Sequence, residues 1–178
     1  DVAWLLAWIP GVPEDERTTA SASLKLLGIL SHQPFFIQLR TEEQWGYWVQ
    51  TGDTWAQNYP AFIALVQSSE RSLPDIENRV ERFMREFDET LQAVKPAEFE
   101  QMKSGLLQQF RQPPNDFISE ASRYRHDFYR NDGNFNTHLE MADLIESTSL
   151  EKVQEDYRRW ILGDGSGWIT LQAQGATP

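Results

Sequence analysis

Apolar residues run almost without interruption from Val2 to Ile9, closed by Pro10-Gly11-Val12-Pro13. Such a run, bounded by turn residues and too short for a helix, predicts a buried strand. Next, Ala20, Leu24, Leu27 and Leu30 recur at helical spacing, which predicts a helix from about Glu14 to Ser31, broken by Pro34. A short second helix is expected over Phe35 to Arg40. Strand-like runs follow at Gly46 to Gly52 and Ala61 to Ser68, read as a hairpin with a long loop from Asp53 to Pro60.

The period then changes. Ile76, Val80, Phe83, Phe87, Leu91 and Val94 step by three and four along one amphipathic stripe, and Pro74 suits its first turn. Pro96 starts another helix, carried by Phe99, Met102, Leu106, Leu107 and Phe110 and ended by Pro113-Pro114. Phe117, Ala121, Tyr124 and Phe128 carry a further one, up to Asn131-Asp132-Gly133. Thr148-Ser149-Leu150-Glu151 reads as a capping box before a last helix through Trp160. Gly163 to Gly167 forms a turn, Trp168 to Ala173 a final strand, and the tail to Pro178 is expected to fray. The helices are collected after the hairpin instead of alternating with strands. That predicts an α+β fold, an antiparallel-rich sheet with helices on one face, in a single domain over 1–178.

Composition narrows the function classes. The 178 residues are 40% hydrophobic and 12% aromatic, enough for one ordinary core. No run approaches the roughly 20 apolar residues of a membrane span, so a soluble chain is expected. Net charge is −11 with no basic stripe; the densest cations, Arg123, Arg125 and Arg130, are interleaved with His126 and Asp127. Nucleic acid is therefore not an expected partner. There is no cysteine, which excludes disulfides, thiolate metal sites and thiol nucleophiles and suits cytoplasm and periplasm equally. A chain that opens at Asp1 directly into an apolar strand reads as part of a longer protein.

Chemistry is sparse. His32, His126 and His138 have no partner at zinc-motif spacing. No G-x-S-x-G elbow occurs, and Gly163-Asp164-Gly165-Ser166-Gly167 precedes a strand and lacks the lysine of a phosphate loop. None of the 27 acidic residues is assigned acid–base work. Trp45, Trp48 and Trp55 cluster near the hairpin, where alternation places Trp45, Tyr47 and Val49 on one face and Gly46, Trp48 and Gln50 on the other. The residues alone thus supply no complete active site.

The stretch Leu39-Arg40-Thr41-Glu42-Glu43-Gln44-Trp45-Gly46-Tyr47-Trp48-Val49 resembles the L-R-T-x-E-Q-L-G-Y-x-V signature in the last domain of the pitrilysin/insulysin zinc metallopeptidases. Further matches follow in order: Leu65-Val66-Gln67-Ser68 resembles the family's strand ending in Q-S. Ile76-Glu77-Asn78-Arg79-Val80-Glu81-Arg82-Phe83 is similar to its L-E-x-R-x-x-x-F helix. Pro96-Ala97-Glu98-Phe99, Pro113 to Ala121 and Asn134-Phe135-Asn136 resemble its later steps.

The resemblance implies the fourth domain of a two-lobed peptidase, pitrilysin-like or of the type associated with pyrroloquinoline quinone biosynthesis. Zinc and the base glutamate would sit on H-x-x-E-H in the first domain, and no cofactor in this segment. The implied partners are the N-terminal domains of the parent chain and peptide or small unfolded polypeptide substrates. Arg40 would bind a substrate backbone carbonyl. Tyr47 would donate its phenol to the oxyanion of the tetrahedral intermediate, from across the chamber. By itself the segment would hydrolyse nothing. Trp45 stands in the family's leucine place and Trp48 follows the tyrosine; both enlarge the side chain, which would reshape the pocket and bear on substrate preference but not on the roles of Arg40 and Tyr47.

Two alternatives stay open. Arg40 pairs with Glu42 or Glu43 while Tyr47 only packs in the sheet; or the domain is a scaffolding module of a parent that has lost zinc. An upstream H-x-x-E-H separates enzyme from scaffold.

Overall fold

In a computed structural model, residues 1–56, 58–130 and 133–175 are described, without the side chains of residues 126, 129 and 130. The expectations for the His126 side chain, the Asn131-Asp132 helix end and the tail to Pro178 lie outside the described residues. Four strands form one antiparallel sheet: β1 (Val2–Pro10), β2 (Trp48–Ala56), β3 (Tyr59–Ser68) and β4 (Ser166–Gln174), in the order β2-β3-β1-β4. The helices are α1 (Arg17–Phe35), α2 (Leu73–Gln92), α3 (Pro96–Arg111), α4 (Phe117–Arg130), α5 (Thr137–Ser147) and α6 (Leu150–Tyr157). This is the expected α+β architecture.

Strand alternation explains the core. Trp4, Leu6 and Trp8 of β1, Phe62, Ala64 and Val66 of β3, and Val49 of β2 are buried in one hydrophobic cluster with the helices. The stripe on α2 supplies Ile76, Val80, Phe83, Phe87 and Leu91, all buried. An aromatic chain ties the layers: Phe35 meets Phe83 edge-on at 4.9 Å, Phe83 stacks on Phe87 at 5.6 Å, and Phe87 meets Tyr157 edge-on at 5.6 Å. The Tyr157 hydroxyl donates to the Met84 carbonyl, and burial pushes its pKa up. Leu5 pairs in register with Leu65 and Leu171 on the opposite sheet face, where Leu171 is exposed.

Four expectations need correction. Pro34 does not break the first helix. α1 contains it and continues into a π-helical segment, Phe36–Glu42. Interior proline costs a helix about 3 kcal/mol, but Leu30 and Ser31 before it and Phe35 and Leu39 after it are buried, and their packing outweighs that cost. There is thus one continuous helical run instead of two helices.

The hairpin loop is short. β2 runs on to Ala56, which pairs with Tyr59. Asp53, read as loop, sits in an edge strand with its carboxylate 2.5 Å from the Lys25 ammonium. The cap of α6 is Ser149, whose hydroxyl accepts from the Lys152 N–H at 3.2 Å, while the Thr148 hydroxyl bonds back to the Leu144 carbonyl. Last, α5 was not anticipated. It buries Met141, Ala142 and Ile145, and Arg111 of α3 anchors it through Glu146 at 2.5 Å.

Candidate functional site

Arg40 lies in the last turn of the π-helical segment, where a cation complements the helix C-terminus. The chain then reverses through a turn with three fixed points. The Glu43 N–H donates to the Gln38 carbonyl at 3.0 Å, the Trp45 N–H to Leu39 at 2.7 Å, and the Tyr47 N–H to Gln67 of β3 at 2.9 Å. Gln44 takes a left-handed φ of 54°, uncommon for a residue with a side chain. A Cβ on Gly46 would lie 2.3 Å from the Gln67 oxygen, so only glycine lets the chain pass that carbonyl. β2 starts after the turn, at Trp48, which leaves Trp45 and Tyr47 outside the alternation expected for them.

The Glu43 carboxylate occupies the centre of this turn. Arg79, on α2, binds it with two N–H donors, Nε at 2.6 Å and Nη2 at 2.7 Å. The Trp45 indole N–H donates to it at 2.6 Å and the Gln38 amide at 3.2 Å. Arg79 is 5% exposed, and its Nη1 reaches Glu86 at 3.4 Å. The Arg71 guanidinium covers the Trp45 ring at 4.6 Å.

The Arg79 hydrogen bonds lower the Glu43 pKa from 4.5 to about 2, against the opposing effect of burial and with help from Trp45. A pKa depressed on folding adds stability above the unfolded value, and that stability is lost as pH falls through the folded value. The stability advantage of the native chain over Glu43→Gln should therefore be complete above about pH 4.5 and fade toward pH 2. Urea midpoints of both proteins across this range check it; a constant difference contradicts it.

With Glu43 committed to Arg79, it is not the partner of Arg40. Among the described residues no hydrogen bond or ion pair engages the Arg40 side chain, which is partly exposed. Tyr47 is 48% exposed, and its hydroxyl donates to the Asp1 carboxylate at 3.0 Å. Neither group is sunk in the core. Grooves of about 650 and 710 Å³ lie elsewhere, lined by residues such as Gly28 and Phe110 in one and Lys103 and Arg111 in the other, and neither Arg40 nor Tyr47 lines them. The turn thus presents a guanidinium and a phenol, both hydrogen-bond donors, on an open surface.

Metal ligands do not assemble here. Among the described residues no three His, Asp or Glu side chains converge. The His32 Nδ1 faces the Thr51 carbonyl at 3.4 Å, and the His138 Nδ1 is buried without a hydrogen-bond partner. Among the described residues these histidines do not fit a zinc centre.

The family model for the PQQ synthase PqqF-like, C-terminal lobe domain 4, matches residues 26–125, which include the whole turn. The chain belongs to this family. It corresponds to one domain of the pitrilysin-type proteases that it resembles. It is 29% identical to Protease 3 of Salmonella typhi over 99% of its own length and 18% of that protein. It is 28% identical to the A-factor-processing enzyme of Saccharomyces cerevisiae over 85% of its length and 15% of that protein. The crystal structure of pitrilysin superposes with a TM-score of 0.86 at 26% identity, covering 99% of this chain and 19% of that one. The chain thus spans about a fifth of the length of such relatives. Among the described residues no helix is long and apolar enough to cross a membrane.

Arg79 is the residue that sequence reasoning missed. Its place in the E-x-R step of α2 was visible, but its contact lies 36 residues upstream, with Glu43.

Proposed function

We propose that residues 1–178 form one domain of a zinc metalloendopeptidase and complete its substrate chamber. In this reading Arg40 binds a substrate backbone carbonyl and Tyr47 stabilises the oxyanion. The zinc belongs to another domain of the full-length protein. The observation that carries the reading is the Arg40 guanidinium, which no hydrogen bond or ion pair engages among the described residues, and the surface phenol of Tyr47, on one turn whose Glu43 carboxylate is held by Arg79. An open surface bearing donors but no walls suits half of a site that a second lobe closes. The leucine row of Leu5, Leu65 and Leu171 suits packing against the remainder of a protein of which this chain is about a fifth.

A donor that holds a substrate carbonyl in both ground and transition state acts mainly on affinity. In the full-length protein, Arg40→Ala should raise KM for peptides about tenfold, roughly the loss of one charge-assisted hydrogen bond, with a smaller change in kcat. Steady-state kinetics on an internally quenched peptide measure both. An unchanged KM removes Arg40 from the site.

A further inference from the structure

We infer that Arg79 is a positioning residue for the reaction, acting through Glu43 on the turn that carries Arg40 and Tyr47. The inference rests on the reading above and adds to it a residue that touches no substrate. Arg79 comes from α2, a different element from the turn it grips. It is almost fully buried, and its fork binds both Glu43 oxygens.

Through that carboxylate the grip spreads to both sides of the reversal: to Gln38, two residues before Arg40, and to Trp45, two residues before Tyr47. The turn needs such a grip. Gln44 sits between the two contacts in a left-handed conformation that few side chains adopt, and Gly46 threads past the Gln67 carbonyl with no room to spare. Arg79 also keeps Glu43, three residues from Arg40 in the chain, from pairing with it, because a carboxylate already holding two guanidinium donors and an indole N–H has little capacity left. One contact thus orders the backbone between the two donors and leaves the first of them open to a substrate.

Lysine at position 79 keeps the charge but cannot make the fork. In full-length Arg79→Lys, hydrogen exchange should speed up at the Trp45 and Tyr47 amides and stay unchanged in β1 and β3. The kcat/KM for peptides should fall about tenfold or more, as expected for donors misplaced by a fraction of an ångström. In a background already carrying Arg40→Ala and Tyr47→Phe, the same substitution should cost less than about twofold, because the donors it positions are gone.

A structural role alone would instead give the same loss in both backgrounds, and that additive result overturns the inference. So does unchanged exchange at the turn, whatever the activity. If Arg40→Ala and Tyr47→Phe are themselves silent, the proposed function falls with the positioning role, while the exchange data still report whether the clasp orders the turn. Should Arg79→Lys fold poorly, Glu43→Gln tests the same contact from the exposed side while keeping an acceptor for Trp45.

Discussion

Tyr47→Phe in the full-length protein should lower kcat for peptide hydrolysis by ~10²–10³ and leave KM close to its original value. The substitution removes one oxygen and keeps the ring, so the turn and its packing persist. Tyr47 is half exposed and, among the described residues, its hydroxyl hydrogen-bonds only the Asp1 carboxylate, so little stability should be lost with it. Negative charge develops on the carbonyl oxygen only as the tetrahedral intermediate forms. A donor aimed at that position acts on the transition state and barely on the bound substrate. Loss of one such donor costs ~10²–10³ in rate. The contrast with Arg40→Ala, a KM effect, separates the two donors on one peptide. Equal effects of both variants on KM would assign Tyr47 to binding instead.

Gly46→Ala should be more disruptive, in two ways at once. Its Cβ would meet the Gln67 oxygen at 2.3 Å and Val66 Cγ1 at 3.1 Å. The closer atom is backbone of β3, a strand paired on both sides, and cannot swing aside. Over-packing of this kind costs about 1–3 kcal/mol, or more where relaxation is blocked. That same carbonyl accepts the Tyr47 N–H at 2.9 Å, so any shift that relieves the clash moves the phenol. A misplacement near 1 Å costs about 10²-fold in kcat/KM. Thermal unfolding should therefore show a lower Tm, and activity below that Tm should be reduced about a hundredfold. A variant with wild-type Tm and activity would show that the approach to Gln67 is looser than described.

The two principal periods were legible in the sequence. The strand-like run Val2 to Ile9 and the α2 stripe from Ile76 to Leu91 fold as read, because burial against one layer imposes a period of about two or 3.6 residues, while Val94, the last position of the predicted stripe, falls beyond the helix end at Gln92. Local signals failed where tertiary contacts overrode them. Pro34 is a helix breaker by itself, yet Phe35 and Leu39 hold the helix through it. Asp53 is a residue typical of loops, yet an edge strand tolerates it, and it finds Lys25. In α5 the spacing of Met141, Ala142 and Ile145 was the available signal, spread over only eleven residues.

The donors of the candidate site were readable because Arg40 and Tyr47 lie in one continuous signature. Glu43 was visible only as one of two nearby carboxylates, with Glu42, that stood as alternative partners of Arg40. Its real partner, Arg79, is set by how α2 crosses the turn, which no short-range pattern encodes.

The most direct measurement is the affinity of a phosphinic peptide for the full-length protein and for Tyr47→Phe. Its tetrahedral phosphorus carries the negative oxygen that the phenol is proposed to meet. The predicted result is a Kd that weakens by the same ~10²–10³ as kcat/KM, alongside little change for a ground-state peptide. An inhibitor Kd that stays the same in Tyr47→Phe would contradict a phenol placed at the oxyanion.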